Sequence, residues 1–357
     1  MPTETNIIVF GAGSGLIENI PFLKNLGKIV YVVDNDPAKW GQTIQGYAIH
    51  PPEILREKNP ADIIIICSWW KKSIARQLNS YGLTPNKDYF LDVAFSLQAE
   101  HYFQIFIEFS DYLKHQDQPL RGKTVLHVGV GHTLVVDILL AMAGARVICS
   151  NLDDEMIFFP DISLKKNIYN LLRKFYTDNR DLFLMPPEGV IATTPTSMIV
   201  DQDKVLFMTI DIERLPLASR SIDILFTSDL LEHVQSPPKA IEESLRALKS
   251  GGIFYHHIHP GNHRPNCSFF DMYSHTNEEW LNICKKSGYH HNRWLSCQFI
   301  TEFGNIAKTL LEATSRTAPN LPAKSAQLMP KPAEEFNDFT PEDFRRSTGF
   351  LTVGGRV

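Results

Sequence analysis

Five cysteines in 357 residues, at positions 67, 149, 267, 284 and 297, show no paired spacing. They support neither a disulfide framework nor a zinc knuckle. Long apolar runs are missing too, with nothing near the roughly 20 residues that a membrane span requires. The first residues lack a basic stretch followed by an apolar one, so the cytoplasm is the expected compartment and no membrane is expected as a partner. Positive charge is not in excess: 35 Lys plus Arg against 40 Asp plus Glu leave a net charge of -5. Without a basic signature, nucleic acid is not an expected partner.

What is present is an ordinary globular composition, 43% apolar and 21% charged. The length exceeds one typical core and predicts two domains.

The rest of the chain is organised around residues 205–263. Residues 222–227 form a short apolar run with one acid near its start, as expected of a strand buried on both faces. Ser236-Pro237-Pro238 predicts a helix start, with Ser as the cap and Pro in the first turn. Ile241, Leu245 and Leu248 share a helical face, Gly251-Gly252 ends the helix, and Ile253–Ile258 is the next strand. Strand, helix and strand with a right-handed crossover make one unit of a parallel α/β sheet.

On these residues the chain resembles the class I S-adenosylmethionine-dependent methyltransferases of the type 11 kind. Asp211-Ile212-Glu213, Leu215-Pro216, Ser221-Ile222-Asp223 and Leu231-Glu232-His233-Val234 carry the resemblance in residue type and in spacing. It implies S-adenosylmethionine as cofactor, Asp211 and Ile212 against the adenine, and Asp229 among the cofactor contacts. Upstream, Lys123-Thr-Val-Leu-His127-Val-Gly129-Val-Gly131-His132-Thr133 resembles the family's first motif, a strand and glycine turn beneath the methionine portion. His127 stands in place of the common acid, Thr133 in place of the third glycine, and Asn151 in place of the acid that holds the ribose. Asn both donates and accepts, so a hydroxyl contact at Asn151 is expected at lower strength.

The first hundred residues read as a separate module. Asn6–Phe10 is an apolar strand, Gly11-Ala-Gly13-Ser-Gly15 a glycine-rich turn, and Lys28–Val33 a second strand ending at Asp34. A glycine turn followed about twenty residues later by an acid is a dinucleotide-binding arrangement, with Gly11, Gly13 and Asp34 as candidate ligand residues. Leu16 occupies the third glycine position. With Asp36-Pro37, Pro51-Pro52-Glu53 and Asp62–Cys67, the set resembles the small Rossmann-like modules of nucleotide-sugar enzymes, including those attached to sugar C-methyltransferases. No Tyr-x-x-x-Lys follows, which argues against hydride transfer. A structural or dimerising role remains open beside ligand binding, and with it a homo-oligomer. Trp69-Trp70 would lie at the carboxyl edge of this sheet.

The expected architecture is α/β, with two Rossmann-like doubly wound domains, the second a class I methyltransferase fold on a seven-stranded, mostly parallel sheet. The boundaries are 1–97 for the accessory domain, 98–120 for a joining helix and 121–357 for the methyltransferase domain, with insertions at 153–203 and 302–345. The first insertion, helical over Leu164–Tyr176, reads as a lid, a substrate wall or a surface embellishment. Asn277–Gly288 is expected as a helix, Asn292–Ile300 as a strand, residues 315–345 as a loop or arm, and Phe350–Arg356 as a final antiparallel strand.

Five of the thirteen histidines lie between His256 and His275. The stretch His256-His-Ile-His-Pro-Gly-Asn-His263 resembles a loop of bacterial methyltransferases in which a His, an acid and a second His follow the fifth strand, with His259 in place of the acid. Methyl transfer to a hydroxyl requires a placed acceptor and removal of a proton, a task suited to histidine. The candidates are His233, His259 and His263. His257 and His259 share a strand face, yet without a nearby acid they are a weak metal signal, so no metal is expected. The resemblance implies a small-molecule or sugar-nucleotide acceptor, in sugar or natural-product biosynthesis. Two other readings stay open: an inactive binding or scaffolding protein, motivated by His127, Thr133 and Asn151, and a nicotinamide-dependent enzyme using the first domain.

Overall fold

Apolar runs too short for buried helices are where the strands form. In the computed structural model, which describes residues 5–68, 70–85, 87–90, 95–130, 134–152, 162–193, 198–262, 267–287, 290–307, 311–315 and 331–357, they build two sheets and a hairpin. The first elements are β1 (Asn6–Phe10), α1 (Ser14–Leu26), β2 (Lys28–Val33), β3 (Thr43–Ile44), β4 (Tyr47–His50), β5 (Ile63–Ile66), α2 (Lys71–Ser80), β6 (Tyr89–Phe90) and α3 (Phe95–His115). Then follow β7 (Thr124–Val128), α4 (Val135–Met142), β8 (Arg146–Asn151), α5 (Ile162–Asp178), β9 (Ile191–Thr193), β10 (Met198–Val200) and β11 (Val205–Thr209). The last are β12 (Ile222–Ser228), α6 (Pro237–Ala247), β13 (Leu248–Ile258), α7 (Asn277–Ser287), α8 (Ser296–Ala307), β14 (Leu311–Ser315), α9 (Pro341–Arg346) and β15 (Leu351–Arg356).

The chain divides into two compact units. One comprises Met1–Asp111, His132–Ala143 and Glu155–Asp201, the other Tyr112–Gly131, Gly144–Asp154 and Gln202–Val357.

The first unit carries a sheet ordered β3-β4-β2-β1-β5-β6, parallel except for the β3–β4 pair. Side chains of β1 alternate between two cores, as period-2 geometry dictates. Ile7 and Val9 pack with Leu16 and Leu23 of α1, while Ile8 and Phe10 pack with Ile74 and Leu78 of α2. Helices thus cover both faces, and the module is doubly wound. Each buried Ile contributes roughly 1.5–3 kcal/mol, which makes the Ile63–Ile66 run a large share of this core. Elsewhere in the unit Phe103 stacks on Phe175 at 4.3 Å, and Phe106 on Phe183 at 5.5 Å. β9 and β10 pair as the hairpin.

The second unit carries seven strands in the order β11-β8-β7-β12-β13-β15-β14. β15 runs antiparallel to both its neighbours, and the other pairs are parallel. This is the class I methyltransferase fold expected from the sequence. One face packs Leu126, Val128, Leu225 and Phe254 against Ile241 of α6, Phe299 and Phe303 of α8, and Leu351 and Val353 of β15.

Several local expectations are corrected. Asn292–Ile300 is not a strand: α8 begins at Ser296, because Leu295, Phe299 and Phe303 recur at helical spacing and bury one face. The strand expected at Ile253 starts five residues earlier, at Leu248. It runs through Gly251, whose φ of +76° absorbs a register shift between Ile222 and Ile224. Ser236 sits at the N-cap of α6 without a side-chain bond, and the amides of Gln235 and Ser236 instead donate to Glu213 Oε1 at 2.6 and 3.1 Å. Within the insertion expected at 302–345, residues 311–315 join the sheet as β14, and the stretch 315–345 expected as a loop or arm ends in the capped helix α9. No helix among the described residues is long and apolar enough to cross a membrane.

Candidate active site

At the carboxyl end of β7 the chain turns at Gly129, with φ +83° and its amide donating to the Ser150 carbonyl at 2.8 Å. A Cβ there would stand 3.0 Å from Leu230, so this turn requires glycine twice over. Gly131 and Thr133 lie outside the described residues. His127 is buried within β7, its ring 4.6 Å from that of Phe226. Asn151 ends the neighbouring strand β8 and is half-buried, its carbonyl accepting from the Ile210 amide at 2.9 Å.

Asp211 follows, exposed, with Oδ1 accepting from the Glu213 amide at 2.9 Å. Ile212 is buried in the cluster that holds Val128, Leu231 and Val234. These three positions lie along the carboxyl edge of the sheet, where ligands of open α/β sheets bind.

The neighbouring part of the edge is a cluster of acids and histidines. Asp229 leaves β12 in the left-handed region, φ +50°, a conformation that Asp tolerates better than most residues. Its amide donates to the His257 carbonyl at 2.8 Å, and its Oδ1 lies 3.1 Å from His257 Nδ1. Ser228 Oγ donates to Oδ2 at 3.3 Å. His257 and His259 share a face at the end of β13, each ring 4.6 Å from Phe350. Glu232 is fully buried, and its Oε1 accepts from the His259 amide at 3.1 Å. Burial, and then the nearby Asp229 carboxylate, push the Glu232 carboxyl well above the usual range and favour its protonated form.

His233 Nδ1 lies 2.8 Å from the His290 carbonyl, which can only accept, so Nδ1 carries the hydrogen and Nε2 the lone pair. Burial pushes this imidazole down from its usual value, favouring the neutral form. His290–Asn292 clasps the turn: the Asn292 amide donates to the Glu232 carbonyl, and Asn292 Nδ2 donates to the carbonyls of Leu231 and Val234. Buried Arg293, next along, donates to the carbonyls of Met272 and His275.

The opposite face of β13 holds a different histidine. His256 is fully buried, with Nδ1 2.9 Å from Thr227 Oγ1, and burial pushes it down to about 3. It is a neutral core residue at any physiological pH. His263 lies outside the described residues. Among the described residues no group of three or more His, Cys, Asp or Glu side chains is arranged to hold a metal ion.

Of the sequence candidates, the structure brings His233, His259 and Asp229 together around Glu232. Glu232, Asn292 and Phe350 join them without having been singled out, and His257, read from the sequence only as sharing a strand face with His259, joins through Asp229. Glu232 stood inside the motif as a quoted letter. Nothing local in the sequence marks Asn292, whose partners lie about sixty residues upstream.

In the first unit Gly11 has φ +118°, and a Cβ there would meet the Cys67 carbonyl oxygen at 2.7 Å. Gly13 caps α1 and has no atom within 4 Å of an added Cβ. Asp34 accepts from the Ala12 amide at 2.7 Å, the Asp36 amide at 2.9 Å and Lys39 Nζ at 3.0 Å. The acid is thus bound to the glycine turn itself. Trp70 is exposed, and Trp69 lies outside the described residues.

Comparison with known proteins gives two family matches. Residues 192–256 match the family described as "Methyltransferase domain", which supports a methyltransferase with S-adenosylmethionine as its cofactor. Residues 3–88 match "C2185-like, N-terminal", a family other than the nucleotide-sugar modules that this segment resembles. No curated protein sequence matches the chain. Among solved structures, a methyltransferase of Haloferax volcanii in complex with the Trm112 activator is 17% identical, with 81% of this chain and 97% of that chain covered and a TM-score of 0.39. A methyltransferase of Bacillus halodurans is 16% identical over 71% and 97% of the two chains, TM-score 0.37. An S-adenosylmethionine dependent methyltransferase of Mesorhizobium loti is 15% identical over 69% and 96%, TM-score 0.36.

Proposed function

We propose that this chain transfers a methyl group from S-adenosylmethionine to an oxygen of a small or sugar-linked acceptor, with a histidine removing the acceptor proton. One observation carries the reading. The stretch matched as a methyltransferase domain contains both the Asp211 corner and the Asp229–His233 turn, on the carboxyl edge of a sheet with class I strand order.

The residues fit the cofactor. The Gly129 turn, where an added Cβ would press on Leu230 at 3.0 Å, would lie beneath the methionine portion. Gly131 and Thr133 would continue it, with His127 beneath. Asn151 would hold the ribose, and Asp211 and Ile212 would border the adenine. When bound, the cofactor supplies an electrophilic methyl on a sulfonium. The protein's part is to hold the acceptor near that methyl, exclude water and accept the proton, with His233, His259 and His263 as candidates.

Residues 1–97 are proposed as the accessory domain and 121–357 as the catalytic one, in the cytoplasm, with Gly11, Gly13 and Asp34 as the place to look for a nucleotide.

The deciding experiment is calorimetric titration with S-adenosylhomocysteine, of wild type, Asp211→Ala and Asp211→Asn. Asp211 also caps the Glu213 amide, and Asn keeps that acceptor, so the pair separates local folding from binding. Micromolar binding that both variants weaken supports the reading and opens an acceptor screen with nucleotide sugars. No binding by folded wild type ends it.

A further inference from the structure

The candidate bases read from the motifs leave aside a histidine that the structure ties to an acid. His257 and Asp229 are joined twice, by the Asp229 amide to the His257 carbonyl at 2.8 Å and by Asp229 Oδ1 to His257 Nδ1 at 3.1 Å. The double tie holds Asp229 in the left-handed region, φ +50°, where the backbone costs on the order of 1 kcal/mol or more. Strain of this kind persists where surrounding contacts over-determine it. The tie also sits beside the cofactor cradle. Leu230, the residue after Asp229, is the one that an added Cβ on Gly129 would strike. The imidazole is fixed on its other side by the Phe350 ring at 4.6 Å.

We propose that His257, oriented by Asp229, is the base that takes the acceptor's proton; this rests on the methyl-transfer reading given above. A carboxylate opposite Nδ1 keeps the hydrogen on that nitrogen and places the basic lone pair on Nε2. In the transfer, the acceptor O–H bond breaks with its proton passing to Nε2. The new O–C bond forms as the C–S bond breaks, and that electron pair leaves on sulfur as the thioether. His257 then carries one positive charge, which the Asp229 carboxylate faces. His257 is the catalytic residue and Asp229 the positioning residue. Neighbouring groups keep other tasks: Glu232 anchors the His259 amide, and His256 is turned into the core.

The test needs no knowledge of the acceptor. Diethyl pyrocarbonate acylates the imidazole nitrogen that carries the lone pair, and peptide mapping by mass spectrometry reads each histidine separately. The full chain is labelled with and without S-adenosylhomocysteine, alongside Asp229→Asn and Asp229→Glu, with binding of each protein followed by calorimetry. The expected result is acylation of His257, slowed by S-adenosylhomocysteine. Asp229→Asn should slow it by roughly tenfold, because an amide permits the tautomer with hydrogen on Nε2, and Asp229→Glu should recover part of the rate. His257 left unlabelled overturns the proposal, since a base that a small probe cannot reach cannot meet an acceptor. A rate unchanged in Asp229→Asn overturns it as well. If wild type binds no S-adenosylhomocysteine, the methyl-transfer reading itself fails, an outcome distinct from binding that is intact with an unreactive His257.

Discussion

The His259 amide donates to Glu232 Oε1 at 3.1 Å, and that carboxyl group is fully buried. The bond anchors the chain leaving β13 to the turn leaving β12, the two segments that carry the acid and histidine cluster. A buried carboxyl costs several kcal/mol when ionised, so burial and the Asp229 charge favour the protonated form.

This makes stability depend on pH with a definite sign. An acid whose folded pKa exceeds its unfolded value of 4.5 binds more protons when folded. Its contribution is fully present below the unfolded value and declines as pH rises towards the folded one, by about 1.4 kcal/mol per pH unit inside that window. Glu232→Gln keeps an acceptor for the His259 amide and removes the titration. Melting temperatures of the two proteins, measured from about pH 4 to about pH 8, should therefore diverge as pH rises, with the wild type losing ground. Parallel curves would mean that Glu232 is ionised in the fold.

Gly129→Ala should act on both folding and binding. The φ of +83° is strained for any L side chain, and the added Cβ would lie 3.0 Å from Leu230. The expected cost is about 1–3 kcal/mol of stability, with S-adenosylhomocysteine affinity reduced by at least about tenfold. Adding Leu230→Ala removes the Cδ1 and Cδ2 contacts at 3.0 and 3.1 Å but keeps the Cβ contact at 3.0 Å, so it should return only a small part of the stability and none of the φ strain. A Gly129→Ala protein with unchanged melting and affinity would exclude the turn as a cradle.

What the sequence makes legible is what local pattern encodes. β1 and β12 were readable as short continuous apolar runs, and α6 because its apolar residues fall at helix period within a few positions. β14 was not, since Leu311-Glu-Ala-Thr-Ser315 alternates over only two apolar positions, one of them a small Ala, and takes its place in the sheet from pairing with β15. The Asn292–Ile300 run misled because so short an apolar stretch suits either period, and packing of Phe299 and Phe303 decided for helix. Thr340-Pro-Glu-Asp343 did carry a signal, for the structure forms a capping box there inside what composition marked as an arm. At the site, the motifs placed Asp229, His233 and His259. The partnership of Asp229 with His257 spans 28 residues and follows from strand register, which no motif states.

Asp34 should prove structural whether or not the first unit holds a ligand. Its carboxylate accepts from Ala12, Asp36 and Lys39, and its side chain is 13% exposed. Charged hydrogen bonds contribute roughly 1.5–3 kcal/mol each when little exposed, less where solvent screens them, as at Lys39. Asp34→Ala is expected to lower stability by about 2 kcal/mol or more, and Asp34→Asn, which keeps acceptor oxygen for Ala12, by less. Calorimetric melting of both variants without nucleotide checks this. Equal melting of wild type and Asp34→Ala would mean that the turn does not depend on the acid.

Removal of the last seven residues tests the closing strand. β15 lies between β13 and β14, so its loss unpairs β14 entirely and leaves one edge of β13 open. Leu351 and Val353 are fully buried, and burial of such side chains contributes roughly 1.5–3 kcal/mol each. Arg356 adds bonds to the carbonyls of Gly251 and Gln116. Against a typical total of about 5–15 kcal/mol, these losses together should unfold the second unit. Phe350, which braces His257 and His259, would lose its fixed position with them. Circular dichroism of a chain ending at Phe350 should show a large loss of ordered structure, and S-adenosylhomocysteine binding should disappear. A truncated chain that melts cooperatively near the wild-type temperature would show that β7, β8, β11, β12 and β13 suffice, and that β15 only covers an edge.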